Sequence, residues 1–510
     1  MASLKKTAIW ITLLAIVLKL SGFLRESVMA RQFGANDLTD GYNLAFPFIT
    51  LVLAMISGGF NNVFLPMYVK NRKDSPKETE RNANGVMNAT VLLFIVVSLL
   101  GYFFAGDLAK LIYGNMTPKT EEIAVDLTQF FFLFMSVIAL NGILESYLQG
   151  RRVFVPSQIS KLVATLMGAV FALFFSEQWG IYSLAYGFIF GTLLGTIIQF
   201  IYLFKTGYRW EPTIRVEKAF RSAFLVLLVP SLLNSVVGQI NMFVNKSFAS
   251  GIGDGAVTYL NNASLLVSIP QAIYATTVAA IIFTLLSEQV DDHKKFQQTV
   301  FMGMQISLVT LMPIAVGLLL VGEEAISFVY ERGKYTPEDT HNAYLALLYY
   351  LPMIVTQGMQ YIVSKSMYAR GKTAIVFRIS VTTIALNLIF NWLLVDRFGY
   401  PGLALTSSLV SVYYLAVSTF VVYKDFDREE RFRLAKLFLR VLVPSVIMAV
   451  PIYLLKAFTP ISEWYSLWQL AILVPLGVIF YAGGIYVFYR EGFTQLLQIV
   501  RRKKTTKATV

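Results

Sequence analysis

From residue 6 to residue 489 the chain alternates between long apolar runs and short polar breaks. A helix advances about 1.5 Å per residue, so a run of about 20 apolar residues crosses ~30 Å of hydrocarbon. The pattern predicts fourteen helices, at roughly 6–34, 39–69, 84–106, 122–149, 155–176, 180–205, 219–249, 255–288, 298–321, 340–369, 374–395, 400–423, 434–457 and 464–489. Several runs exceed the minimum span, so tilt or kinks are expected. The fold class expected is an all-α polytopic membrane protein. One stretch departs from the apolar rule: Leu18 to Phe46 carries Lys19, Arg25, Glu26, Arg31, Asp37 and Asp40.

The turns repeat. Asp40-Gly41 recurs as Asp254-Gly255, and Tyr113 with Thr117-Pro118 recurs as Tyr330 with Thr336-Pro337. Tyr147-Leu-Gln-Gly150 recurs as Tyr368-Ala-Arg-Gly371, and Gly180 to Ala185 as Gly399 to Ala404. The offsets stay between 214 and 221 residues and span six helices, so the two copies share one orientation, as in parallel-repeat transporters. This predicts an N-terminal six-helix lobe at 1–210, a second at 211–427, two further helices at 428–490 and a basic tail at 491–510. In such architectures the substrate site lies near the bilayer midplane between repeats.

Composition agrees. Of 510 residues, 56% are hydrophobic and 14% charged, and the mean hydropathy is +0.62. The first run is expected to be a membrane helix and not a cleaved signal, because no small-x-small site follows it. There is no cysteine, which removes disulfides and thiolate chemistry, and His293 and His341 fall in polar connections, which argues against a metal site or histidine catalysis. The net charge of +13 suits cytoplasmic loops better than nucleic acid. Alternate loops hold Lys70, Arg72, Lys73, Lys77 and Arg81, then Arg151 and Arg152, then Lys205 to Arg221, and so on to both termini, while the opposite loops hold scattered cations. Both ends are therefore expected in the cytoplasm, with the basic tail against anionic lipid headgroups.

Ionisable groups at membrane depth are expensive and mark function. Lys19 lies deep in the first helix, and Gly22 and Glu26 share its face, with Arg25 beside them. Asn241, Asn245, Lys246, Asn262 and Ser264 on the seventh and eighth helices could line a cavity or bridge helices, and Asp40 and Asn43 open the second. Gly58 and Gly59 permit a bend or close packing in the second helix.

SGFLRESVMARQFGANDLTDGYNLAF, followed by GGFNNVFLPMY and later by YERGKYTPED, resembles the MurJ (MviN) lipid II flippases of the multidrug/oligosaccharidyl-lipid/polysaccharide exporter superfamily. The resemblance implies a cationic cavity lined by helices 1, 2, 7 and 8. There Lys19 and Arg25 match family arginines and meet the diphosphate of an undecaprenyl-linked glycan, while Glu26 and Asp40 match family acids. It also implies a groove for the lipid tail by the last two helices. Where many members carry an arginine pair, this chain reads Val52-Leu53, and Ser57 and Leu265 replace a family acid and arginine. Two other cargoes therefore stand beside lipid II: a teichoic acid or capsule unit on the same carrier, and cationic drugs in a cation-coupled multidrug exporter. The expectation is a transporter in the bacterial cytoplasmic membrane and not an enzyme. It would have no cofactor, with sodium or proton coupling open, and cell-wall synthesis proteins are candidate partners.

Overall fold

The computed structural model describes residues 2–490; the basic tail expected at 491–510 lies outside them. Every described element is helical: α1 (Ala2–Phe33), α2 (Asp37–Gly59), α3 (Leu65–Asp74), α4 (Pro76–Tyr113), α5 (Pro118–Leu133), α6 (Met135–Gly150), α7 (Val155–Trp179), α8 (Tyr182–Lys205), α9 (Lys218–Ala249), α10 (Ala256–Tyr274), α11 (Ala280–Glu288), α12 (His293–Tyr330), α13 (Pro337–Ala369), α14 (Thr373–Phe398), α15 (Tyr400–Tyr423), α16 (Arg428–Phe458) and α17 (Ser466–Phe488). A π turn at Phe60–Phe64 joins α2 to α3, and another at Ala275–Ala279 joins α10 to α11. α5 and α6 meet at a 54° bend.

With those joints, each of the fourteen expected runs is one helical rod. Among the described residues, ten are long and apolar enough to cross a membrane, and eleven when the bent α5–α6 pair counts as one span. The rods that fall short are α1, α10 with α11, and α13. A count of fourteen spans therefore rests on the sequence pattern.

The repeat is visible in the helix boundaries. α12 begins and ends 217 residues after α4, and α15 begins and ends 218 after α8. The turn chemistry explains the coincidence. Thr117 caps α5 by accepting from the Thr120 amide at 3.2 Å, with Pro118 at the first helical position. Thr336 caps α13 in the same way, accepting from the Asp339 amide at 3.2 Å while Asp339 Oδ2 accepts from the Thr336 amide at 2.8 Å. The two π turns also recur, at an offset of 215 residues.

The chain folds as two compact units, 1–258 with 332–339, and 259–331 with 340–510. Within the first unit α9 packs along α2. Ser231 Oγ donates to the Gly58 carbonyl at 3.0 Å, and a Cβ on Gly59 would stand 2.8 Å from Leu228. Phe243 stacks with Tyr113, and Ser250 Oγ donates to the Tyr113 carbonyl at 2.7 Å. Gly58 and Gly59 thus serve the close approach of two helices. The segment 332–339 packs in this unit too: the Lys334 amide donates to the Arg31 carbonyl at 2.9 Å. Gly34 and Gly333 hold φ of +77° and +64°, and a Cβ on Gly34 would meet the Lys334 carbonyl oxygen at 2.8 Å. In the second unit α16 and α17 pack on each other and on α12 rather than forming a separate piece.

Candidate functional site

The charged stretch that breaks the apolar pattern forms α1, the following turn and the start of α2. Lys19 is exposed, has no ion pair among the described residues, and shares the α1 face with Gly22, where a Cβ would meet nothing within 4 Å. Arg25 turns inward. Its guanidinium pairs with the buried Glu26 carboxylate and lies 4.6 Å from the centroid of the Phe46 ring on α2. A carboxylate and an aromatic face together offset the cost of taking a guanidinium out of water. Its buried Nε has no hydrogen-bond partner among the described residues.

Asp40 and Asn43 lie one helical turn apart on α2, and both are buried. Asp40 Oδ1 accepts from the Thr258 amide at 2.8 Å and from its hydroxyl at 2.6 Å, at the first turn of α10. That placement satisfies an amide which no preceding helical turn can bond. Asn43 Nδ2 donates to Thr258 Oγ1 at 3.2 Å, and Thr39 Oγ1 lies 3.1 Å from the same oxygen. Lys246 Nζ, reaching from α9, donates to the Asn43 carbonyl at 2.6 Å and feels the charges of Glu26 and Asp40. One buried network therefore joins α2, α9 and the start of α10 within the first unit.

Of the residues singled out from sequence, Lys19, Gly22, Arg25, Glu26, Asp40, Asn43, Asn241, Asn245 and Lys246 fall in the first unit, and Asn262 and Ser264 in the second. Asn241 Oδ1 is buried without a hydrogen-bond partner among the described residues. Asn262 is buried on α10, and Ser264 Oγ donates to the Asn261 carbonyl at 2.9 Å. The buried cluster balances its charges, two cations (Arg25, Lys246) against two acids (Glu26, Asp40). Lys19 stands outside this cluster, exposed and without an ion pair among the described residues. Phe46 and Thr258 were not legible as partners, although Thr258 follows the repeated Asp254-Gly255 turn by a few residues, where a helix start is expected.

The second unit holds an apolar cavity of about 280 Å³ among α12, α16 and α17. Pro313, Gly317, Val321, Met448, Leu473 and Gly477 line it. Small residues and a break open the space: α12 leaves helical geometry at Val321 (φ −124°, ψ 18°), and Lys456 Nζ takes the Leu320 carbonyl at 2.7 Å while pairing with Glu324 at 2.5 Å. A site of this kind suits hydrocarbon and offers no polar recognition.

Comparison with known proteins places this architecture. A family model described as "Lipid II flippase MurJ" matches residues 29–474. A probable lipid II flippase MurJ from Rickettsia prowazekii is 24% identical over 99% of this chain and 100% of its own length. Another, from Buchnera aphidicola subsp. Acyrthosiphon pisum, is 24% identical over 89% of this chain and 92% of its own. A solved lipid II flippase MurJ in an inward closed conformation superposes with a TM-score of 0.81 at 25% identity, covering 95% of this chain and 99% of that one. A multidrug resistance MATE family transporter of the MOP superfamily shares the fold alone, at 12% identity and a TM-score of 0.69 over 82% of this chain and 95% of its own. With its helical rods, its six-helix repeat and a match across most of its length, the chain belongs to the lipid II flippase MurJ family.

Proposed function

We propose that this protein is a flippase that carries lipid II from the inner to the outer leaflet of the bacterial cytoplasmic membrane by alternating access. It is a transporter and not an enzyme, and its substrate is a polyprenyl-linked lipid. The observation that carries the reading is the family match across residues 29–474. The chemistry of the chain supports it. A diphosphate headgroup needs a cation that is not already neutralised, and Lys19 is such a cation. A long prenyl chain needs hydrocarbon surroundings, and the cavity among α12, α16 and α17 accommodates part of one. The asymmetry of loop charge supports a cytoplasmic location for both termini.

The test is depletion of the protein in growing cells, followed by identification of the lipid-linked intermediate that stays on the inner leaflet. Trapped lipid II supports the reading. Accumulation of a teichoic acid or capsule precursor, with lipid II still reaching the outer leaflet, overturns it.

A further inference from the structure

Residues 206–217 connect α8 to α9 without helix or strand. Backbone amides and carbonyls in such a segment must find partners elsewhere. Here they find them on α4, along the sequence Asn82-Ala-Asn84-Gly85-Val-Met-Asn88. Asn82 Oδ1 accepts from the Glu217 amide at 2.9 Å. Asn84 Oδ1 accepts from the Tyr208 hydroxyl at 2.6 Å and the Glu211 amide at 3.3 Å, while its Nδ2 donates to the Arg209 carbonyl at 3.3 Å. Asn88 Nδ2 donates to the carbonyls of Glu211 at 2.7 Å and Thr213 at 2.8 Å, and its Oδ1 accepts from Trp210 Nε1 at 3.1 Å. Gly85 lets the segment lie flat, because a Cβ there would stand 2.8 Å from the Arg215 carbonyl oxygen.

The near end is fixed as firmly. Arg151, at the turn after α6, donates to the Thr206 carbonyl at 3.1 Å and lies 5.6 Å from the Tyr208 ring centroid. Its other terminal nitrogen pairs with Glu80 of α4 at 2.7 Å, and Glu80 also accepts from the hydroxyls of Tyr68 (2.6 Å) and Tyr147. Burial works against the Arg151 charge, but the hydrogen bond and charge of Glu80 outweigh it and hold the guanidinium above its ordinary pKa.

A free linker of this length could reach about 40 Å and would let α9 slide. We infer that Asn82, Asn84 and Asn88 are positioning residues for transport: they bind the 208–217 strap to α4, so that the first turns of α9 move with the first unit through the whole transport cycle. Bending of α9 is then confined to the helix beyond the strap, where Pro230 interrupts its hydrogen bonding. This deepens the flippase reading and rests on it for the transport measurement alone.

The test uses the full chain in lipid nanodiscs; the absence of native cysteine makes labelling clean. Spin labels on Lys77→Cys at the start of α4 and Ile214→Cys on the strap, both exposed, should give one narrow distance that is unchanged by added lipid II. The distance should broaden in Asn84→Ala/Asn88→Ala. Flipping by that double variant, which loses six hydrogen bonds to the strap, should fall at least about tenfold at equal protein level. A short bismaleimide bridging Asn88→Cys and Thr213→Cys should leave transport intact and restore it in the Asn84→Ala background, which a merely folding-related role would not do. A wild-type distance that splits on adding lipid II, or a bridged protein that stalls, overturns the inference. Should the unmodified protein move no lipid II, the flippase reading fails while the spin-label distances still decide the strap.

Discussion

Replacing Thr258 with valine removes one hydroxyl and little else. Thr258 is 1% exposed, and its Oγ1 meets Asp40, Asn43 and Thr39 within 3.2 Å. Its amide keeps the 2.8 Å bond to Asp40, so the first turn of α10 loses its side-chain ties but not its backbone one. Hydrogen bonds between membrane helices average ~0.6 kcal/mol, so three sum to about 2 kcal/mol. The Asn43 amide is then left buried without this acceptor, at about 1–3 kcal/mol. Since such terms overlap, the expected loss is about 2–4 kcal/mol. Thr258→Ser keeps the hydroxyl and loses one methyl, about 0.8 kcal/mol. The assay compares apparent melting temperatures of purified Thr258→Val, Thr258→Ser and wild type in one detergent. Valine should lower the midpoint well below serine. Equal midpoints for the two variants would refute the hydroxyl-centred network and leave only packing at this position.

Four further outcomes are expected. Single cysteines at Ser75, Gln298 and Thr505 should resist impermeant thiol reagents in intact cells, while those at Asn115 and Thr459 should react; labelling of the first group would reverse the assigned orientation. Asn115 is the better outside probe than its neighbour Met116, which is buried. Lys19→Ala should slow transport and leave the melting temperature unchanged, because Lys19 is exposed and has no ion pair among the described residues. Arg25→Ala should lower both, since it removes the ion-pair partner of the buried Glu26, and Arg25→Lys should recover only part of the loss because an ammonium cannot match the planar guanidinium over Phe46. If Arg25→Ala melts like wild type, the pair is not structural. Finally, outward movement of a diphosphate is driven by an inside-negative potential at ~2.3 kcal/mol per charge per 100 mV, so vesicles with a potassium-diffusion potential should flip lipid II faster than those at zero potential. Identical rates with sodium and proton gradients held flat would exclude a purely voltage-driven mechanism.

The sequence by itself determined the class of fold, the fourteen rods and the six-helix repeat. These depend on local chemistry: apolar length sets a rod, and a Thr-Pro cap or a terminal glycine sets its ends. Gly180 and Gly399, which end α7 and α14 at φ of +54° and +61°, show how one residue type places the same boundary in both copies. The sequence also singled out Lys19, Arg25, Glu26, Asp40 and Lys246 as charges to be explained within the apolar pattern. Only the tertiary structure decided what each of them touches. Arg25 and Lys19 lie six residues apart on one helix, yet one is neutralised by Glu26 and the other stands open, because burial depends on what packs beside α1 and not on its own periodicity. The structure likewise packs α9 in the first compact unit, a grouping that the repeat does not address. A repeat records how turns recur along the chain. A compact unit records which helices bury surface together, and the small residues at Gly58 and Gly59, with Asn82 of α4, draw α9 in by contacts 135 to 173 residues apart.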